Sequence, residues 1–156
     1  MDDERFGKPC QYFHFSIYIY YFSFNIIMRK DQLYQGLIIT IKSVINSDQI
    51  LTLSSKLMLI SSILYNSNKN WIFCGFYMAT KNRILEVGPY QSQTLPCTHI
   101  HYGKGVCGES ALKQIPILVD NVNEYSNYIS CDSETKSEIV IPFIKHGNFL
   151  GVLDID

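Results

Sequence analysis

From Lys30 onward the apolar residues of this chain fall into helical register. Leu33, Leu37, Ile41 and Val44 recur every three or four positions and predict one amphipathic helix over roughly 30–45. Asn46-Ser47-Asp48 then punctuates the chain and offers a helix N-cap. Ile50, Leu53, Leu57, Ile60 and Leu64 repeat at three and four, predicting a second helix with a continuous apolar stripe. Both stripes read as core-facing rather than as a cofactor-binding face. Asn66 to Asn70 is a polar turn. Beyond Trp71 the pattern shortens to that of strands. WIFCGFYMA and RILEVGPY are β-rich runs joined by Thr80-Lys81-Asn82, a hairpin-like connection. THIHYG predicts a short strand ending at Gly103, GVCGESALKQ a turn into a short helix, and ILVD another strand. NVNEYSNYISCDSETK is a long polar loop, and EIVIPFIK and FLGVLDID form a final pair around His146-Gly147-Asn148. Two helices followed by an antiparallel sheet make an α+β domain.

Residues 12–28, YFHFSIYIYYFSFNIIM, stand apart in texture. A membrane span takes about 20 largely apolar residues. This run is shorter and contains His14, Ser16, Ser23 and Asn25. The acidic opening MDDE and the lack of a small-residue cleavage site argue against a secretory signal. An edge strand of this composition would be long and prone to aggregate. Residues 1–29 are therefore expected to be a leader outside the domain, disordered or an artefact of gene annotation, with Met28 an alternative start. Residues 30–156 are expected to form the working domain.

The chain's 156 residues are one domain's worth and can bury a core. A formal charge of −1 and a pI near 6.4 give no electrostatic ground for nucleic acid or an anionic membrane as partner. The five cysteines, Cys10, Cys74, Cys97, Cys107 and Cys131, are odd in number and form no CxxC pair. That spacing argues against a secreted disulfide scaffold and a zinc ribbon, and fits a reducing, cytoplasmic compartment. Cys97, Cys107 and Cys131 fall within 35 residues, each beside turn or polar residues. Two readings stay open for them: buried small apolar side chains, or reactive thiols acting on a small polar substrate. Cys74 lies in a strand-like run and reads as inert core; Cys10 has no assigned role. His99 and His101 could join the cysteines around zinc, but the ligand spacing is irregular. Lys104-Gly105 and Gly108 read as turn glycines, not a phosphate loop, because no βαβ pattern surrounds them.

The string N-W…G-F-Y…G-P-Y-Q…C…G-x-G-V-C-G…C-D…S-E-I-V-x-P…G-V-L-D-I-D resembles the free methionine-(R)-sulfoxide reductases, a GAF-domain family. The likeness runs from about Lys30 to Asp156. It implies a six-stranded antiparallel sheet flanked by helices, with substrate buried under a loop. It also implies a reductase for free L-methionine (R)-S-oxide that uses no cofactor or metal and takes its electrons from thioredoxin. By the resemblance, Cys131 is the attacking cysteine and Cys97 its disulfide partner, with Cys107 an auxiliary or alternative nucleophile. Glu138, Asp154 and Asp156 match the acids of the substrate pocket, and Trp71 and Tyr77 the aromatic wall beside the substrate's methyl end.

Those residue types suit the chemistry. Sulfoxide sulfur is a poor electrophile until its oxygen is protonated, so a thiolate needs an acid beside it. Three carboxylates in one pocket repel, so at least one should keep its proton near neutral pH, while the others bind the amino acid's ammonium. Asp154 and Asp156, two apart on a strand, face the same side of the sheet. The sequence departs from the family in three places. YSNYISCD replaces a Pro-Gly-His-type turn, putting Asn127 at a glycine position and Tyr128 at a histidine. WIFCGFY is two residues longer than N-W-x-G-F-Y. The family carries a C-terminal helix, which helps to pair subunits into a homodimer, beyond the position of Asp156. A non-catalytic GAF sensor and a zinc- or redox-sensing protein built on Cys97, Cys107 and Cys131 are the alternatives.

Overall fold

The computed structural model describes residues 12–46 and 51–156, with side chains from residue 28. By its contacts the chain forms two units, Met1–Thr40 and Ile41–Asp156. Helix α1 runs from Tyr12 to Ile45. No proline interrupts that stretch, so the Phe/Tyr/Ile run is helical rather than an edge strand. The boundary expected after residue 29 falls inside this helix, and residues 1–11, Cys10 among them, lie outside the described residues. Leu33 is exposed, contrary to its reading as core-facing. Ile41 and Val44, in the second unit, do pack against Leu57, Ile60 and Phe76. No helix among the described residues is long and apolar enough to cross a membrane.

Helix α2 spans Leu53–Tyr65. Its N-cap is Thr52, whose side chain accepts a hydrogen bond from the Ser55 amide at 3.1 Å. The cap expected at Asn46-Ser47-Asp48 thus falls several residues early, and residues 47–50 are not described. Leu57 and Ile60 are buried on the stripe that the sequence predicts. Ser61 is buried on the same side of the helix, its hydroxyl donating to the Leu57 and Pro89 carbonyls at 3.0 and 3.2 Å.

Six strands follow: β1 (Phe73–Ala79), β2 (Ile84–Ser92), β3 (His99–His101), β4 (Ile117–Val119), β5 (Glu138–Lys145) and β6 (Asn148–Ile155). They form one sheet in the order β3-β2-β1-β6-β5-β4, antiparallel at every pairing. Strand β6 therefore joins the hairpin β1–β2 to the hairpin β5–β6. Alternation along the central strands assigns two faces. Phe76 and Leu153 meet α2, whereas Phe73, Tyr77, Val140 and Val152 enter a larger core with helix α3 (Gly105–Lys113). This matches the six-stranded α+β architecture that the resemblance implies.

Two glycines set α3 against the sheet. Gly105 opens the helix at φ +63°, a left-handed conformation that a side chain would strain. Gly108 lies inside the helix rather than in a turn, and a Cβ there would stand 2.2 Å from the His101 carbonyl oxygen. The missing side chain lets α3 press onto β3 and brings the intervening Cys107 into the core, where it is 3% exposed. Gly108→Ala should cost about 1–3 kcal/mol through overpacking, measured as a lowered urea midpoint with unchanged slope. An unchanged midpoint would mean that the helix does not depend on this approach.

Candidate functional site

The face of the sheet that meets α3 carries a cavity rather than a solid core. Phe73 and Tyr77 from β1, Cys107 from α3, Glu138 from β5, and Asp154 and Asp156 from β6 all line it. Strand alternation delivers the acids: Asp154 and Asp156 are two apart, and Val140, two after Glu138, pairs with Asp154. Free space inside amounts to about 30 Å³, room for roughly two waters.

Cys97, before β3, and Cys131, before β5, are joined by a disulfide with Cα atoms 5.2 Å apart. That pairing is the one the resemblance implies. Cys131 also lines the cavity, so the bond closes one side of it. Cys107 is a free thiol whose Sγ stands 3.8 Å from Glu138 Oε1. The sulfur and one oxygen each of Glu138 and Asp154 lie within 4.8 Å of one another. Asp154 Oδ1 and Asp156 Oδ1 are buried with no hydrogen-bond partner among the described residues.

No Lys, Arg or His among the described residues lines this cavity, and the acids shift toward their protonated forms. Burial, then the Asp156 charge, pushes the Glu138 carboxyl up to about 8. Burial, then Asp132, raises Asp156 to about 7. Burial and the Asp156 and Glu138 charges hold Asp154 well above the carboxylate range. Burial, reinforced by Asp154 and Glu138, also raises the Cys107 thiol, which keeps it protonated. Cys74 is fully buried in β1 and pushed up to about 12 by that burial, as befits inert core.

The loop over the cavity, residues 121–135, is fastened by side chains that the sequence reading passed over. The Tyr125 hydroxyl and Lys113 ammonium both donate to Glu109 at 2.5 Å, and Asn127 donates to Glu109 at 3.3 Å and to the Gly103 carbonyl at 3.0 Å. Hydrogen bonds from Lys113, then Tyr125, hold the Glu109 carboxyl down at about 2. Nearer Cys131, the Asp132 carboxylate accepts from the Glu134 and Thr135 amides at 2.7 and 2.9 Å, and the Thr135 hydroxyl reaches both Asp132 and Asp156 at 3.0 and 3.3 Å. The Asp-x-x-Thr spacing of this turn was a readable signal. Of the Glu109 partners, Lys113 stands at the readable i,i+4 spacing, whereas Tyr125 and Asn127 were not readable, since they lie 16 and 18 residues away.

Trp71 is the one site assignment that the structure sets elsewhere. It precedes β1 and lines a neighbouring depression bounded by Glu138 and Asp156. Counting back from Gly75-Phe76-Tyr77 puts the motif's aromatic at Phe73, which does line the cavity beside Tyr77, ring centroids 6.0 Å apart. The extra residues displace Trp71 beyond the strand. His99 and His101 are exposed on β3 and Cys97 and Cys131 are paired, so the zinc set considered from sequence does not assemble.

These protons give stability a pH dependence. Glu138, with an ordinary value of 4.5, binds its proton more tightly folded than unfolded. Its contribution is complete below about pH 4.5 and is lost as pH rises toward about 8. Glu109 acts oppositely and in a separate window, losing its contribution as pH falls from 4.5 to about 2. The melting temperature should therefore fall by several degrees between about pH 5 and 8, and Glu138→Gln should flatten that fall. An equal slope in the variant would remove Glu138 as its source.

No family model matches the chain. The free methionine-R-sulfoxide reductase of Saccharomyces cerevisiae is 43% identical over 105 residues, covering 62% of this chain, which spans only 57% of that relative's length. Among solved structures, a GAF domain matches with TM-score 0.75 and 35% identity, over 81% of this chain and 74% of its own. The free methionine-R-sulfoxide reductase of Neisseria meningitidis, solved in complex with its substrate, matches with TM-score 0.75 and 33% identity over the same shares. On this identity and coverage, the chain belongs to the free methionine-(R)-sulfoxide reductase family and carries the GAF fold.

Proposed function

We propose that this chain reduces the (R)-sulfoxide of free methionine, with Cys131 as the attacking thiol. The observation that carries the reading is the Cys97–Cys131 disulfide closing a cavity lined by three acids, Glu138 and Asp154 buried and Asp156 half-buried. In the reduced form the Cys131 thiolate attacks the sulfoxide sulfur while Glu138, still protonated at neutral pH, passes its proton to the oxygen. The protonated oxygen passes from the methionine sulfur to the Cys131 sulfur as the transient bond between the two sulfurs breaks, leaving Cys131 as a sulfenic acid and releasing methionine. The Cys97 thiol displaces that hydroxyl as water and forms the disulfide. A dithiol of the thioredoxin type then restores both thiols, so two electrons and two protons enter per sulfoxide reduced.

The unpartnered oxygens of Asp154 and Asp156 suit the substrate's α-ammonium, which would end their mutual repulsion. Phe73 and Tyr77 offer the apolar wall for its methyl end. Room for about two waters does not admit an amino acid. Opening the disulfide frees the 121–135 loop to make space, so substrate binds the reduced form. Cys107 fits the attacking role less well, because burial among acids disfavours its thiolate. A GAF sensor has no use for a disulfide at the mouth of its ligand site.

Cys131→Ser should abolish methionine formation, followed by chromatography with dithiothreitol or thioredoxin as reductant. Cys97→Ser should yield about one methionine per protein and then stall with thioredoxin. Full steady-state activity in Cys131→Ser would move the role to Cys107. Glu138→Gln should lower kcat about 10²–10⁴-fold. A distinct check concerns the ammonium: N-acetylmethionine sulfoxide should be rejected, and equal rates on free and acetylated substrate would refute the role given to Asp154 and Asp156.

A further inference from the structure

We infer that Cys107, Glu138 and Asp154 form a reversible binding site for one borderline-soft divalent cation of the zinc class. The three donors come from α3, β5 and β6, and the atoms they offer converge within 4.8 Å. Tetrahedral zinc, with Zn–S about 2.3 Å and Zn–O about 2.0 Å, sets its sulfur and oxygen ligands about 3.5 Å apart. Cys107 Sγ and Glu138 Oε1 stand 3.8 Å apart, so a small side-chain adjustment reaches that spacing. Asp154 is 5% exposed and lines the cavity, and its Oδ1 is buried with no hydrogen-bond partner among the described residues. That oxygen leaves Asp154 with an acceptor that the contacts within the cluster do not use.

The donor set selects the metal. One thiolate with two carboxylates suits zinc or cadmium; magnesium and calcium prefer an all-oxygen shell. A divalent cation also answers the deficit of positive charge, since no Lys, Arg or His among the described residues lines the cavity. Size selects further. The space left by the closed disulfide holds one ion and a water but not an amino acid. The ion is therefore not a resident cofactor but an occupant of the oxidised form, and Cys97 and Cys131 take no part. It would also occupy the place assigned to the substrate's ammonium. That consequence rests on the proposed reductase reading; the metal site does not.

Cobalt(II) is the probe, titrated into the disulfide form without reductant. One equivalent should bind with a thiolate-to-cobalt charge-transfer band, displaced by zinc. Cys107→Ser should abolish the band, and Asp154→Asn should weaken binding at least about tenfold. Cys10→Ser and Cys74→Ser should leave both unchanged, with circular dichroism and melting curves confirming that every variant folds. Absence of the band in the wild-type protein, or its survival in Cys107→Ser, overturns the inference. In turnover assays with a non-chelating reductant system, zinc held by the oxidised form should lower kcat and leave kcat/KM for methionine sulfoxide little changed. A cobalt band in a protein with no reductase activity keeps the metal site and sinks the reductase reading. Reductase activity without the band does the reverse.

Discussion

Three carboxyl groups and a thiol line one cavity with about 30 Å³ of free space and, among the described residues, no cation in its wall, and that crowding constrains the structure around it. Buried carboxylates without a counter-ion are costly, so the site stays neutral by holding protons. The retained proton is also what a sulfoxide oxygen requires. The feature that burdens the fold and the feature that would drive the chemistry are thus one. The side chains that bear this burden sit on central strands, where β1, β5 and β6 are paired on both sides. A rigid sheet keeps the acids from separating to relieve their repulsion.

The remaining elements hold the other half of the site over that floor. Gly105 and Gly108 bring Cys107 down onto the sheet, and Glu109, next in sequence, faces outward to hold the loop. One short helix thereby links the buried thiol to the segment that carries Cys131. Where the family has a Pro-Gly-His-type turn, this chain relies on Tyr125 and Asn127 gripping Glu109. Covalent closure through Cys97 adds to these hydrogen bonds in the oxidised form and leaves them to act alone once reduced.

Much of this was legible in the residues. The 3.6 period located α2 because Leu57 and Ile60 do face the sheet, and alternation put Asp154 and Asp156 on one side because β6 is regular there. Periodicity misled at Leu33, where an apolar stripe continues although the residue is exposed. At the site, the resemblance implied the Cys97–Cys131 pair that the structure joins and named three acids that line the cavity, but it named Trp71 where Phe73 lines it. The tryptophan was anchored by residue type, whereas strand β1 fixes its register from Gly75. Glu109's role in holding the loop escaped because Tyr125 and Asn127 are brought near it only by the loop's fold.

Strand β6 has a further role through its place in the sheet. It is paired to β5 by a short turn but to β1 across most of the domain, Cys74 opposite Ile155 and Gly75 opposite Asp154. Docking β6 against β1 is thus the long-range step that unites the two hairpins, and such steps are slow because a long loop must close first. The residue that meets Gly75 in that step is itself one of the acids. Assembly of the sheet and burial of charge are therefore a single event on the folding path, and the chain must take up its protons as the two halves join.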